Sequence, residues 1–340
     1  MRRFLVTGAS GLVGLRALRQ LLAAGDDVQV VAVDRDRLPE ATARLDPRRL
    51  DLLRSPLEPL LADVDVIVHL AEAEPSRSYG PMLELTDRVL SSAVDAGIGH
   101  VVLLSSAMAY GAYPDNPVPL TEAAPLRPEP ELPFAVGKAE EERLGLAWRD
   151  GAPGRTLSVL RPTTALSEQG ASWVARTLRA ATAVRPDQVD PPVQFLHVAD
   201  LAAAVTLAAR RHLDGPFNVA PDRWLGPERL QALDAHPHLR LPDPLNEALV
   251  RARSRIGIRP VPPGILPYVR YPWVVANDRL RSQGWVPAFS NEEAYIAGTP
   301  APPWAAVSPK RRQELALGLT GAAAVGLAGA AFGVARRITR

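Results

Sequence analysis

The stretch Thr7-Gly8-Ala9-Ser10-Gly11-Leu12-Val13-Gly14 directly follows the strand-like run Phe4-Leu5-Val6 and opens a segment with helical apolar spacing over about residues 12–24. Its three glycines meet different needs. Gly8 permits a tight turn, Gly11 lets backbone approach a pyrophosphate, and Gly14 allows the helix to pack closely on a sheet. Ser10, Leu12 and Val13 complete the turn and offer backbone N–H groups at the helix start, where the dipole attracts phosphate. The next apolar run, Val28 to Val33, ends in Asp34, twenty residues beyond Gly14. A carboxylate there accepts ribose hydroxyls and repels a 2′-phosphate, which favours NAD over NADP. Arg35 argues the other way, because a guanidinium pairs well with that phosphate.

The same rhythm continues along the chain. Apolar runs at Leu50–Leu52, Val66–Leu70, Val101–Leu104 and Leu157–Leu160 alternate with helical patterns near residues 82–96, 134–148, 171–183 and 199–211, the last with Asp200 placed to help start it. Strands apolar on both faces, separated by helices, predict a doubly wound parallel α/β sheet of Rossmann type. Seven prolines between Ala112 and Pro133 forbid regular structure and predict a long loop over the sheet ends. Residues 213–299, broken by further prolines, predict a small irregular C-terminal lobe. The reading is one domain over 1–299, with the cofactor part at about 1–160 and the substrate lobe mainly at 161–299. A proline-rich, basic linker then covers 300–314.

Composition narrows the function classes. Apolar residues at 47% and charged residues at 22% of 340 describe a folded globular chain. The absence of cysteine excludes disulfides, thiolate metal sites and cysteine nucleophiles. Positive charge is concentrated in the last 31 residues, where six basic side chains face only Glu314, so the body is mildly acidic. That argues against a nucleic-acid partner. His236 and His238 near Asp234 lack further ligand spacing, so no metal is expected. Arg251, Arg253, Arg255 and Arg259 read as a solvated face or as a grip for a diphosphate. Only Lys138 and Lys310 are lysines, so a lysine in the body calls for a specific reason.

Several further segments resemble the extended short-chain dehydrogenase/reductase family, in its NAD-dependent epimerase/dehydratase group, over roughly residues 3–298. Asp51-Leu52 resembles its adenine contact, and Asp65-Val66-Ile67-Val68-His69-Leu70-Ala71 resembles its fourth strand, with Leu70 and Ala71 beside the cofactor. Ser105-Ser106-Ala107-Met108-Ala109-Tyr110-Gly111 resembles the strand end carrying the catalytic serine, which falls on Ser106. Leu160-Arg161-Pro162, Phe195-Leu196-His197-Val198-Ala199-Asp200 and Gly284-Trp285-Val286-Pro287 resemble later family segments. In the family's Tyr-x-x-x-Lys helix the lysine holds the nicotinamide ribose and lowers the tyrosine pKa. Here the segment is Phe134-Ala135-Val136-Gly137-Lys138, so the lysine is present and the phenol is not. Loss of a general acid/base costs ~10²–10⁴ in rate. Tyr110 or Tyr113 could substitute, or simply line the pocket. Lys138 reads as a ribose ligand or as an exposed helical charge, and Ser106 as a substrate contact or a strand-end backbone partner. His69 and His197 read as structural. The resemblance implies an oxidoreductase or epimerase acting on a nucleotide-sugar or small carbonyl or alcohol substrate. The alternative is a catalytically impaired NAD-binding sensor or scaffold at a membrane.

The tail suggests where such a body is held. Leu315 to Val334 carries no charge, and as a helix it would span ~30 Å, the thickness of a bilayer core. Gly318, Gly326, Gly329 and Gly333 share one helical face, which suits close helix pairing and a homodimer. The expectation is a cytoplasmic body with this segment either anchored in a membrane or packed on protein.

Overall fold

The structure is a computed structural model describing residues 1–72, 78–182, 184–186, 190–233, 239–241 and 262–299. Its main sheet draws on β1 (Arg2–Thr7), β2 (Val28–Asp34), β3 (Leu45–Arg49), β4 (Val66–His69), β5 (His100–Leu104) and β6 (Thr156–Pro162). Helices α1 (Leu12–Ala23), α2 (Gly80–Asp95) and α3 (Pro133–Asp150) connect them. There follow β7 (Thr164–Ser167), β8 (Gly170–Ala171), α4 (Trp173–Thr182), β9 (Val184–Pro186), β10 (Phe195–His197), α5 (Val198–Arg211) and β11 (Gly215–Val219). The remainder holds α6 (Pro227–Leu233), β12 (Leu239–Leu241), α7 (Leu266–Arg270), α8 (Asp278–Ser282) and α9 (Asn291–Gly298).

Seven strands lie in the order β3-β2-β1-β4-β5-β6-β11, every pair parallel. The order reverses between β1 and β4, and a doubly wound sheet opens its ligand crevice at that point. Strand alternation divides the core. Phe4 and Val6 join Leu18 and Leu21 of α1 and Leu201 and Val205 of α5 on one face, while Leu5 joins Leu85 and Val89 of α2 and Trp148 of α3 on the other. Because β11 closes the sheet and α5 packs beside α1, the cofactor-side layer recruits chain well beyond residue 160.

Three details correct the sequence reading. The third strand is Leu45–Arg49 rather than Leu50–Leu52. It is an edge strand, where one side of the ladder is unpaired and Pro47 is tolerated, so its sequence carries little apolar signal. Helix α5 is capped by His197, whose Nδ1 accepts the Ala199 N–H at 3.2 Å. Asp200 instead accepts the Ala288 and Phe289 N–H groups at 2.9 and 3.1 Å, tying α5 to the chain before α9. Residues 213–299 are also more regular than their prolines suggested, with β11, β12 and, among the described residues, four short helices, while the small sheet β10-β7-β8 comes from the chain before them. The proline-rich loop is built as expected: Tyr110, Leu120, Leu132 and Phe134 pack with Tyr268, Trp273 and Val275. His236, His238, the four arginines at 251–259 and the 315–334 segment lie outside the described residues. Among the described residues no helix is long and apolar enough to cross a membrane.

Candidate active site

The glycine turn sits at the switch point, after β1. Gly8 has φ +68°, and a Cβ there would stand 2.6 Å from Ala71 N and 2.7 Å from the Leu70 carbonyl carbon. A Cβ on Gly14 would stand 2.1 Å from Gly8 O, whereas one on Gly11 would stand 3.2 Å from the same atom, a tight contact but a milder one. Gly8 and Gly14 therefore let three backbone segments close up, and Leu70 and Ala71 border the turn. Gly11, as N-cap, offers no side chain to the first turn of α1, and Leu12 and Val13 follow as its first residues. The N–H groups there stay available to an anion.

Asp34, 24 positions from Ser10, is brought onto the turn: Ser10 N–H donates to its Oδ2 at 2.9 Å. Burial opposes its ionisation, but bonds from Ser10 and from the N–H groups of Asp36 and Arg35 hold the carboxyl below its ordinary range. Arg35 is exposed, and its carbonyl accepts Arg49 Nε at 2.9 Å. Leu50 N–H donates to Asp34 O at 2.9 Å, which places Asp51 and Leu52 beside the β2 end. Asp51 Oδ1 accepts the Leu53 N–H at 2.9 Å, and Leu52 is buried in the core.

Lys138 is 1% exposed, which removes the solvated-charge alternative. Its ammonium donates to Leu104 O at 2.9 Å and pairs with Glu72 at 2.7 Å and Glu141 at 3.0 Å. Burial would lower its pKa, but the two carboxylates hold it above the ordinary lysine range. Burial pushes the Glu141 carboxyl up, opposed by Lys138 and Thr86. From Glu141 a buried chain runs back to the turn. Thr86 Oγ1 donates to Glu141 Oε1 at 2.5 Å, His69 Nε2 lies 3.2 Å from Thr86, His69 Nδ1 lies 2.8 Å from Thr7 Oγ1, and Ala71 N–H donates to Thr7 at 3.2 Å. A carboxylate only accepts and a hydroxyl has one proton, so the direction is fixed. His69 carries its proton on Nε2 and accepts from Thr7 at Nδ1. Burial, aided by the Lys138 charge, lowers its pKa to about 3, so it is neutral.

A second buried chain occupies the neighbouring strand ends. Ser105 Oγ donates to Glu142, which grips Arg161 through Nε at 3.0 Å and Nη2 at 2.6 Å. Arg161 Nη1 donates to the Tyr110 hydroxyl at 2.7 Å, and Tyr110 donates to Asn218 Oδ1 at 2.8 Å. Burial raises the Tyr110 pKa to about 12. Its hydroxyl is fully committed, which removes it as a stand-in for the missing phenol. Tyr113 lies under the Arg127 guanidinium, 4.7 Å from its centre. Ser106 Oγ accepts the Met108 N–H at 3.2 Å and caps the 3-10 turn Ala107–Tyr110. Phe134, one turn before Lys138, packs on Trp173 with ring centres 5.1 Å apart. His197 is a cap that also lies 3.3 Å from Glu168.

Glu72, Thr86 and Glu141 were not singled out from the sequence. The signal was present in part: Glu141 stands three residues after Lys138, on the helical stripe Phe134, Lys138, Glu141, Glu142, Gly145 and Trp148 that α3 buries.

A phosphate turn at the switch point, with a carboxylate at the end of β2, defines a dinucleotide-binding α/β protein. The chain belongs to the NAD dependent epimerase/dehydratase family, which matches residues 4–220. It is 27% identical over 303 residues to a 3-diazoavenalumate denitrifying reductase from Streptomyces sp, covering 77% of this chain and 97% of that protein. It is 30% identical over 280 residues to the 2'-dehydrokanamycin reductase of Streptomyces kanamyceticus, covering 78% and 69%. In fold it is similar to the Thermus thermophilus UDP-glucose 4-epimerase solved with NAD, with TM-score 0.65 at 21% identity over 87% of this chain and 97% of that one. NAD is the cofactor, and the residues fit it: Gly8 and Gly14 leave room for a backbone cradle, and the Asp34 carboxylate is held on the turn by Ser10 N–H.

Proposed function

We propose that this protein is an NAD-dependent reductase of a small organic acceptor and that it works without a tyrosine proton donor. The observation that carries the reading is Phe134 one helical turn before the buried Lys138, with Tyr110 locked by Arg161 and Asn218. The Gly8–Gly14 turn holds the pyrophosphate, Asp34 the adenosine ribose, and Lys138 with Glu72 borders the other ribose. When bound, reduced NAD supplies a hydride. Ser106 keeps a hydroxyl proton that can be offered to the acceptor, but its pKa is too high for it to replace a phenol. The site therefore suits acceptors that need no proton at the moment of transfer.

The two relatives above are both reductases by name, and the name of one gives a diazo compound as substrate and loss of nitrogen. An aryl diazonium gains a hydride, loses its C–N bond and leaves as arene and N2, with no proton consumed. Reduction of a ketone instead builds an alkoxide that must be protonated. Oxidation of NADH should thus be seen with a diazo aromatic acid and be very slow with keto-sugars. Phe134→Tyr should raise ketone reduction by at least about tenfold, the low side of what a general acid contributes. If neither protein reduces any acceptor while NADH still binds, the chain is a cofactor-binding sensor or scaffold. The engagement of the buried Lys138 by Leu104 O, Glu72 and Glu141 favours that second reading.

The uncharged 315–334 segment supports a further part of the proposal, that it holds the protein at a membrane and pairs two copies through its glycine face. The full chain should then sediment with membranes after a high-salt wash, and a chain ending at Pro309 should not. Equal behaviour of the two rejects the anchor.

A further inference from the structure

We infer that Glu72 gives the nicotinamide end of the crevice a net negative charge, which makes the site bind oxidised NAD more tightly relative to NADH. The inference rests on the NAD-dependent hydride-transfer reading above.

Position comes from topology. A dinucleotide lies across the crevice at the switch point, here between β1 and β4. Asp34 at the end of β2 and the turn after β1 take the adenosine ribose and the pyrophosphate, so the remaining ribose and the nicotinamide fall over the ends of β4 and β5. Glu72 follows β4 by three residues, and Lys138 is bonded to Leu104 O, the last residue of β5.

The charges there do not cancel. The Lys138 ammonium donates to Leu104 O at 2.9 Å and forms ion pairs with Glu72 at 2.7 Å and Glu141 at 3.0 Å. Two carboxylates face one cation, leaving one negative charge in excess. Among the described residues the neighbouring groups leave this sum unchanged, because His69 is neutral and Glu142 is matched by Arg161. Lys138 and Glu141 are each 2% exposed at the side chain, against 36% for Glu72, so Glu72 is the member of the cluster that borders the open crevice.

Oxidised nicotinamide is a cation and reduced nicotinamide is neutral, while the pyrophosphate is the same in both. The ratio of the two affinities therefore isolates the field at the ring from every other contact. For a unit charge about 10 Å from its partner at an effective dielectric of about 20–40, that ratio changes about four- to fifteenfold. The direction favours hydride donation by the bound cofactor, as a reductase requires.

The test measures dissociation constants of the full-length protein for NAD and for NADH, by calorimetry and by NADH fluorescence. Glu72→Gln should raise the ratio Kd(NAD)/Kd(NADH) about four- to fifteenfold, and Glu72→Asp, which keeps the charge, should leave it near the wild-type value. Glu140→Gln removes an equal charge from an exposed pair with Arg143 on the same helix and should not move the ratio. An unchanged ratio in Glu72→Gln, or an equal loss of affinity for both forms, overturns the inference. Wild-type protein that binds neither form overturns the NAD reading itself.

Discussion

Arg161 on β6 and Glu142 on α3 meet at 2.6 Å between Nη2 and Oε2, while the arginine Nε contacts both carboxylate oxygens at 3.0 and 3.1 Å. Their side chains are 7% and 2% exposed. Removing one partner leaves an uncompensated charge in the interior. Glu142→Ala should therefore cost about 3–5 kcal/mol in chemical denaturation. Tyr110→Phe, which takes a neutral hydroxyl from Arg161 and Asn218, should cost about 1–3 kcal/mol. A Glu142→Ala loss no larger than that of Tyr110→Phe would show that the pair is not acting as a buried ion pair.

The turn separates two glycines that look alike in sequence. An added methyl at Gly14 would overlap backbone at 2.1 Å and 2.8 Å, while at Gly11 it meets one atom at 3.2 Å. Gly14→Ala should destabilise the protein by about 1–3 kcal/mol and weaken NAD binding, with a smaller stability loss in Gly11→Ala. Urea midpoints of the two variants decide this, and equal losses contradict it.

The proposed role of Asp34 is to set the preference between cofactors. Asp34→Ser removes the negative charge at the β2 end while Arg35 remains exposed beside it. The affinity ratio of NAD to NADP should fall at least about tenfold, mainly through gained NADP binding. Calorimetry with both nucleotides checks this, and an unchanged ratio removes Asp34 from the selection.

Acid should unfold this protein early. Burial lowers the pKa of His69 to about 3 and of His100 to about 4, in both cases with a nearby positive charge or second imidazole adding to it. The unfolded chain binds protons at these positions from about pH 6.5 downward and the folded chain does not, so stability is full above pH 6.5 and falls toward pH 4. Each histidine adds up to about 1.4 kcal/mol per pH unit in that window. Denaturation between pH 7.5 and 4.5 should show the slope, and His100→Gln should make it shallower. A flat profile above pH 5 would mean that these rings are protonated in the native state.

The order of strand, turn, helix and second strand was legible because it rests on local requirements. The glycine spacing, the period of the apolar runs and the place of Asp34 after Val33 are each satisfied within a few residues, and they were enough to predict the parallel α/β class. The edge strand β3 escaped this reading because a strand paired on one side and holding Pro47 has no need of alternating apolar residues. Lys138 was visible as a rare residue at a telling distance from Phe134. Its burial, its ion pairs with Glu72 and Glu141 and the commitment of the Tyr110 hydroxyl were not. Glu72 and Lys138 are 66 positions apart, and Tyr110 and Asn218 are 108 apart. A polar side chain is satisfied by whichever partner the packing brings within about 3 Å. The linear pattern determines which face of an element turns inward, and only the closed fold decides which charges meet there.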